Sequence, residues 1–439
     1  MRPSQREILL KLAVVGSGIV GITTAYELAL DGHEVTVFER RNTAAEESSF
    51  ASGSLLAPGW NAFGGVNGRG LGALMPWANP GSALQLCSWP RGKEWPWLWQ
   101  WLRAGKAERH TKLLQGVLRL THYSHERLQT LTGALQLDYD RTDGMLVLWR
   151  TEQDQANAQE PLRVMADMGW KGRVLSADEA RLREPALNAG TALHAALEIT
   201  GEASANCRQF ALQLKTEAQK LGCEFEFGAT LDRVAVEPSQ AMGVKLTLSP
   251  TQTGAGNSET VDFDGAVLCA GAAGAALLRP LGLRLPMLPV FGHSVSAAVR
   301  EPLDAPLSAV LDAHQQVSIS RLGQRVRVCG GQQFGRSAGA KSASELKRLY
   351  QVLSDWYPGA ARMADTRGSA QEWHGAQACL PDGLPVLGPT QLPGVWVNLG
   401  HGNSGWSMAC GSARILADQI RGTKPDIDGA DYSPARFGL

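Results

Sequence analysis

The sequence predicts an α/β fold in two parts: a parallel sheet flanked by helices, and a second, largely antiparallel sheet. Three observations carry this. The chain opens on a strand, a glycine turn, a helix and a second strand within about thirty residues, the length of a βαβ unit. Short strands separated by polar turns recur between residues 295 and 329, as in an antiparallel sheet. The chain closes, between Val395 and Ile420, on another strand, glycine-rich turn and helix. At 439 residues it exceeds one small core, so two domains or one two-lobed unit are expected.

Taken in order, Leu10 to Val15 is an apolar run ending at Gly16-Ser17-Gly18, and Ile19 to Leu30 has helical spacing. After Asp31-Gly32, residues Glu34 to Glu39 form the second strand. From Phe50 to Pro90 the composition turns to Gly, Pro, Asn and Trp with little periodicity, which predicts long loops. Helical spacing returns near residues 95 to 135, from Ala205 to Leu221 and from Ser342 to Trp356. Glu224 to Val236 and Val261 to Leu268 read as strands, and Ala270-Gly271 turns into a short helix near Ala275. Strands are further expected at Val295 to Val299, Val317 to Arg321 and Val326 to Cys329. The polar stretch Gln252 to Thr260 reads as an exposed loop.

Bulk properties exclude several function classes. Formal net charge is zero, with no basic footprint for nucleic acid. The seven cysteines (87, 207, 223, 269, 329, 379 and 410) are scattered and form no CxxC pair, which argues against a zinc site or a disulfide framework. No metal is expected, and free thiols point to a reducing, cytoplasmic setting. The N-terminus lacks the pattern of a secretory signal, and the most apolar run, Ala266 to Leu278, is too short to span a bilayer. Membrane contact, if any, is expected to be peripheral, at the inner face.

The strongest local signal is Gly16-Ser17-Gly18-Ile19-Val20-Gly21. A lone GxGxxG is weak, but Ala25, Leu28, Gly32, Val35, Val37 and Glu39 all fall where a dinucleotide-binding βαβ unit places them. Gly16 permits the tight turn, Gly18 the approach of a pyrophosphate, and Gly21 close packing of helix on strand. Glu39 can accept hydrogen bonds from ribose hydroxyls and would repel a 2′-phosphate; Arg40 is assigned to the same site. NAD and FAD share this fingerprint. The choice falls to FAD at the far end, Gly400-His401-Gly402-Asn403-Ser404-Gly405, where small residues open a helix whose dipole suits the negative charge of a reduced flavin. His401 reads equally well as a packed loop histidine.

With those segments in view, the chain resembles the D-amino-acid oxidase-like FAD-dependent oxidoreductases, and among them the D-amino-acid dehydrogenase small subunits. The resemblance runs over nearly the whole chain. It includes Ser48-Ser49-Phe50-Ala51-Ser52-Gly53, similar to the family's flavin-contacting loop, Pro76 to Gly81, Ala270-Gly271-Ala272, Pro381 to Gly388, and Gly400 to Gly411. It implies a Rossmann-like FAD-binding domain over 1–61, 192–281 and 372–439, and a substrate domain over 62–191 and 282–371. It implies non-covalent FAD held by Gly16, Gly18, Ile19, Val20, Gly21, Glu39, Arg40, Ser48, Ser49, Ser52, Gly53, Ala270, Gly271 and residues 400–405.

Departures from the family pattern concern the substrate. In Trp373-His374-Gly375-Ala376-Gln377, glutamine stands where the family carries an arginine that holds a substrate carboxylate. Phe291 and His293 stand where the dehydrogenases commonly have lysine and tyrosine, and Gln333 where glutamate is common. Glutamine cannot replace a bidentate guanidinium. Either another residue holds the carboxylate, with Arg321, Arg325, Arg327 and Arg336 as candidates, or the substrate is not a simple free α-amino acid. His293, His374 and Gln377 are the expected pocket residues.

The implied chemistry is oxidation of a C–N bond, in a D-amino acid or related amine, by hydride transfer to flavin N5, giving an imine that hydrolyses. Such a reaction asks the protein mainly for position and exclusion of water. Electrons would pass to a quinone or other acceptor. The alternatives are an oxidase of glycine-like or N-substituted amino compounds that makes hydrogen peroxide, and a flavin-bearing subunit that turns nothing over. Trp95, Trp97, Trp99 and Trp101 alternate, with Trp77 and Trp89 before them, so some of these rings are expected to face different surroundings: domain packing, or a membrane or electron-transfer partner.

Overall fold

The computed structural model describes residues 9–57, 85–199, 201–236, 243–251, 258–335, 339–361 and 370–439. Pro76 to Gly81, Trp77, Arg336 and most of the expected loop region between Phe50 and Pro90 lie outside those residues.

The opening βαβ unit forms as read, with strands Lys11–Val15 and Glu34–Glu39 around the helix Ile19–Leu30. They seed a six-stranded sheet in the order Glu224–Phe227, Glu34–Glu39, Lys11–Val15, Gly265–Leu268, Val395–Leu399, Val386–Pro389. The first five strands are parallel and the last is an antiparallel edge. Central strands of such a sheet are covered on both faces and so read as unbroken apolar runs. On one face Leu12 and Val14 pack with Ile22 and Leu28 of the first helix, Phe210 and Leu214 of Cys207–Lys220, and Leu416 of Gly405–Arg421. On the other, Ala13, Val15 and Leu268 meet Leu246 and Phe263 of a three-stranded meander, Ala229–Val236, Val244–Pro250 and Glu259–Phe263.

Val261 to Leu268, expected as one strand, is two. Glu259–Phe263 belongs to the meander and Gly265–Leu268 to the parallel sheet. Asp264 makes the joint: its N–H donates to the Lys11 carbonyl (2.9 Å) and its carboxylate accepts from the Lys11 N–H (2.6 Å), so the chain is pinned to the first strand as it changes sheets. An apolar run carries no mark of which sheet it joins.

Among the described residues, the second large sheet has nine strands. Gln371–Cys379, Leu288–Ala298, Arg325–Phe334 and Val317–Leu322 are successive antiparallel neighbours, and Ala309–Asp312 continues them. Met145–Trp149 joins Ala309–Asp312 in parallel, followed by Ala195–Ile199 and Gly172–Ser176, while Gln85–Leu86 adds to Arg325–Phe334. The helix Ala343–Trp356 covers one face, with Leu349 and Leu353 against Val295 and Val328.

The alternating tryptophans lie on a helix, Glu94–Ala104. At about 100° per residue, a two-residue step nearly reverses direction. Trp97 and Trp101 therefore stack on the buried side (centroids 6.4 Å apart), while Trp95 and Trp99 are exposed. Trp97 also meets Phe334 and donates its indole N–H to the Cys379 carbonyl (3.2 Å). The long helix Ala107–Leu135 packs on Gly405–Arg421 so closely that a Cβ on Gly411 would lie 2.9 Å from Ser124. Fully buried Glu27 ties the two to the first helix, accepting a bidentate pair from Arg127 (2.7 Å each) and a bond from Arg414 (2.8 Å).

No disulfide links cysteines among the described residues, and burial pushes the thiols of Cys207, Cys223, Cys269 and Cys379 up to about 12. Among the described residues, no helix is long and apolar enough to cross a membrane.

Candidate active site

Each glycine of the opening turn has its own geometric demand. Gly16 sits at φ +102°, a backbone region that favours glycine, and a Cβ there would lie 2.8 Å from the Cys269 carbonyl. A Cβ on Gly21 would lie 1.8 Å from the Gly16 carbonyl, so helix and turn touch backbone to backbone. A Cβ on Gly18 would meet only Ser49 Oγ, at 3.5 Å. Among the described residues, no atom there requires glycine. The helix starts at Gly18 without a side-chain cap, and the Ile19 N–H donates to Ser49 Oγ (3.0 Å). Glu39 is buried at the end of the second strand. Its carboxylate accepts from the Ser17 N–H (2.8 Å), the Ser17 hydroxyl (3.0 Å) and the Arg41 N–H (2.8 Å). Two carboxylate oxygens can accept about four bonds, so acceptor capacity is left over.

These groups line one cavity of about 340 Å³. Gly16, Gly18, Ile19, Val20, Glu39, Arg40, Ser48 and Ser49 enter it from the N-terminal unit, Ala270 and Gly271 from the fourth strand's end, and Gly400, His401, Gly402 and Gly405 from the C-terminal turn. The helix Gly405–Arg421 also starts without a side-chain cap and carries no acidic residue in its first turn. Two uncapped helix N-termini thus share one cavity, an arrangement suited to negative charge. His401 is buried beside them with its Nε2 3.1 Å from Ser412 Oγ. Burial lowers its pKa to about 3, so the ring stays neutral. Gly21 and Ser404 do not line the cavity; the first packs helix on turn, and the Ser404 hydroxyl donates to Asn403 Oδ1 (3.2 Å).

A second cavity, of about 70 Å³, lies on the other side of the strand Gln371–Cys379. Ala376 and Ala378 face the larger space, and Trp373 and Gln377 the smaller. Two glycines make room for them. A Cβ on Gly375 would lie 2.0 Å from the Trp373 ring, and one on Gly292 would lie 3.2 Å from Gln377 Nε2. Ser52, Gly53 and Asn403, expected against the cofactor, line this smaller cavity with Gln316, Gln332 and Trp406. Five residues of the wall hold a buried side-chain polar atom without a hydrogen-bond partner: Ser52 Oγ, Gln316 Oε1, Gln332 Oε1, Gln377 Oε1 and Trp406 Nε1. Among the described residues, none of the lining side chains is Asp, Glu, Lys or Arg.

The two expected histidines are placed differently. His293 touches the cavity, but both its ring nitrogens are engaged by backbone: Nδ1 donates to the Gly331 carbonyl (3.1 Å) and Nε2 accepts from the Ser342 N–H (3.2 Å). Burial holds it below the ordinary histidine range, so it is a neutral ring in one tautomer with no nitrogen left for a substrate. Its partner across the strands, His374, does not line the cavity; it stacks on Phe291 (centroids 5.0 Å, planes 4° apart). Gln333 is buried and donates to Gln85 Oε1 (3.4 Å). Of the arginine candidates, Arg321 bonds loop carbonyls, Arg325 donates to the Ser296 carbonyl, and Arg327 is buried under Ser52 and Ser54. Sequence reasoning missed Gln316, Gln332 and Trp406. Only Trp406, just past the expected cofactor turn, stood beside a recognisable motif.

The model of a family described as DAO, FAD dependent oxidoreductase, matches residues 11–419. The chain belongs to this family. Its cofactor is FAD, and the larger cavity fits that group. Glu39 offers acceptors for ribose hydroxyls, the space before Gly18 admits a pyrophosphate, and two helix N-termini meet the negative charges. Solved structures agree on the fold. The chain is similar to a glycine oxidase from Geobacillus kaustophilus (21% identity, TM-score 0.71, 97% of this chain and 98% of that one). It is similar to an iminodiacetate oxidase from Chelativorans sp. BNC1 (20%, 0.68, 96% and 98%) and to an L-proline dehydrogenase from P. horikoshii (16%, 0.70, 98% of both). As a DAO-family member, the chain is an FAD-dependent oxidoreductase.

Proposed function

We propose that the chain is a dehydrogenase that removes a hydride from the carbon beside an amine, in a D-amino acid or a related amine, and passes the electrons to a quinone or another acceptor. The observation that carries the reading is the small polar cavity beside the flavin cavity, separated from it by one strand whose alternate residues line each. When bound, FAD supplies the two-electron acceptor. The chain's own residues do the rest. Gln377 and Gln332 present buried carbonyl oxygens that a substrate N–H would satisfy, and Trp373 and Trp406 close the space with apolar surface. Neutral His401 adds no charge of its own, so the groups that face the anion directly are backbone N–H groups and the helix dipole. The D-amino-acid reading is supported by the resemblance of the sequence Pro76 to Gly81 to the dehydrogenases.

The test is anaerobic reduction of the purified yellow protein across D- and L-amino acids, N-alkyl amino acids, amino amides and plain amines. Bleaching by D-amino acids supports the proposal; flavin that stays oxidised with every amine sinks it. Peroxide released at the turnover rate in air would replace the dehydrogenase with an oxidase.

A further inference from the structure

Arg327 is a charge without a counter-charge. It is 9% exposed, on the strand Arg325–Phe334, and its hydrogen bonds run to the Ser296 hydroxyl (2.9 Å), the Ser52 carbonyl (3.4 Å) and the Ser54 hydroxyl (3.4 Å). No carboxylate among the described residues pairs with it; the titratable neighbours that bear on it are the buried thiols of Cys329 and Cys207 and another cation, Arg325. Guanidinium groups do not deprotonate in proteins, and a buried ion left unpaired is costly, so buried charges are nearly always matched. The two groups that Arg327 grips on the Ser52–Ser54 segment belong to the wall of the small cavity. Ser54 itself sits at φ +61°, a conformation serine rarely adopts and which persists only when its surroundings impose it. A further hydrogen bond, from the Ser54 hydroxyl to the Ser52 carbonyl (3.3 Å), closes the same knot.

We propose that Arg327 is a positioning residue that holds the Ser52–Ser54 wall and sets a fixed positive charge behind it, answering an anion bound in the small cavity or formed beside it on the cofactor. The missing partner is thus supplied by the reaction: either the negative charge that reduction places on the cofactor, or the carboxylate of a bound substrate. The inference rests on reading the small cavity as the substrate end of the flavin site, but its first measurement needs no substrate.

The experiment compares holoprotein with Arg327→Met, which keeps length and loses charge, and Arg327→Lys, which keeps charge. Midpoint potentials are measured by dye equilibration, and binding of benzoate and of benzamide by perturbation of the flavin spectrum. If the cofactor supplies the anion, Arg327→Met lowers the preference for reduced flavin about tenfold, a drop of about 30 mV for two electrons, and Arg327→Lys restores most of it. If a carboxylate supplies it, the potential stays, benzoate binding falls about tenfold and benzamide binding does not change. Unchanged potential and unchanged benzoate binding overturn the proposal, as does a lysine variant that behaves like methionine. Should Arg327→Met not load FAD, Arg327→Gln makes the same comparison.

Discussion

Substituting alanine at Gly18 and at Gly21 separates what the glycine turn does for the fold from what it does for the cofactor. At Gly18 the new methyl meets only Ser49 Oγ, at 3.5 Å, and the backbone is extended (φ −68°, ψ 177°), open to any residue. Alanine is a poorer N-cap than glycine by about 0.5–1 kcal/mol, but it restrains the unfolded chain by about 0.4–1 kcal/mol, so apoprotein stability should change little. At Gly21 the methyl would lie 1.8 Å from the Gly16 carbonyl, and the helix must move by more than an ångström across a core that includes Ile22 and Val14. Overpacking of this kind costs about 1–3 kcal/mol or more. Thermal unfolding of the apoproteins and FAD titration by fluorescence quenching read the two effects apart. Gly18→Ala should unfold like the parent yet bind FAD at least about tenfold more weakly, a loss of about 1.4 kcal/mol from the blocked approach. Gly21→Ala should unfold at lower temperature without FAD. The reasoning fails if the Gly18→Ala apoprotein is destabilised as much as Gly21→Ala, or if it binds FAD with parental affinity.

Three other outcomes are expected. His401 is neutral with a pKa near 3 while the unfolded chain titrates near 6.5, so the unfolded state binds the extra proton between these values; stability is full above pH 6.5 and falls as pH drops toward 3. His401→Asn should lessen that slope by up to about 1.4 kcal/mol per pH unit, visible in unfolding curves at pH 7 and 4.5; parallel curves would mean the ring is already charged. Gln377→Ala should raise KM about tenfold, the cost of about one hydrogen bond, with FAD affinity unchanged because its neighbours Ala376 and Ala378 face the other cavity; a flavin that dissociates would contradict the two-sided strand. Trp97→Ala should destabilise by about 3–5 kcal/mol in denaturant titration, while exposed Trp99→Ala stays within about 0.5 kcal/mol; equal effects would contradict the assigned faces.

The glycine turn of the candidate cofactor site was legible because its demands are local. Gly21 and Glu39 act on atoms within the same βαβ unit, and Gly16 makes its turn there at positive φ, so their spacing along the chain encodes their geometry. The helix from Gly405 carries its meaning in the same way, through the residues that open it. The substrate end was only partly legible. Gln377 was singled out from its motif, and the structure turns it into a cavity. His293 stood out equally, yet its nitrogens are consumed by Gly331 and Ser342, residues brought to it by a neighbouring strand and a helix start. Gln316 and Gln332 carried no signal at all, since a glutamine in a strand or turn is ordinary until its carbonyl is buried without a partner.

By itself the sequence determined the βαβ unit, the helix that closes the chain, the antiparallel character of the second sheet and the flavin as cofactor, all of which follow from periodicity, glycine placement and end-of-strand chemistry. Only the tertiary structure decided that Val261 to Leu268 is shared between two sheets, that the tryptophans divide between two faces of a helix, and that Arg327 lies buried with no carboxylate partner among the described residues. The physical reason is one of range. Turns, caps and amphipathic faces are settled by neighbours a few residues apart, whereas burial and hydrogen-bond satisfaction depend on groups hundreds of residues away, as between Arg327 and Ser54.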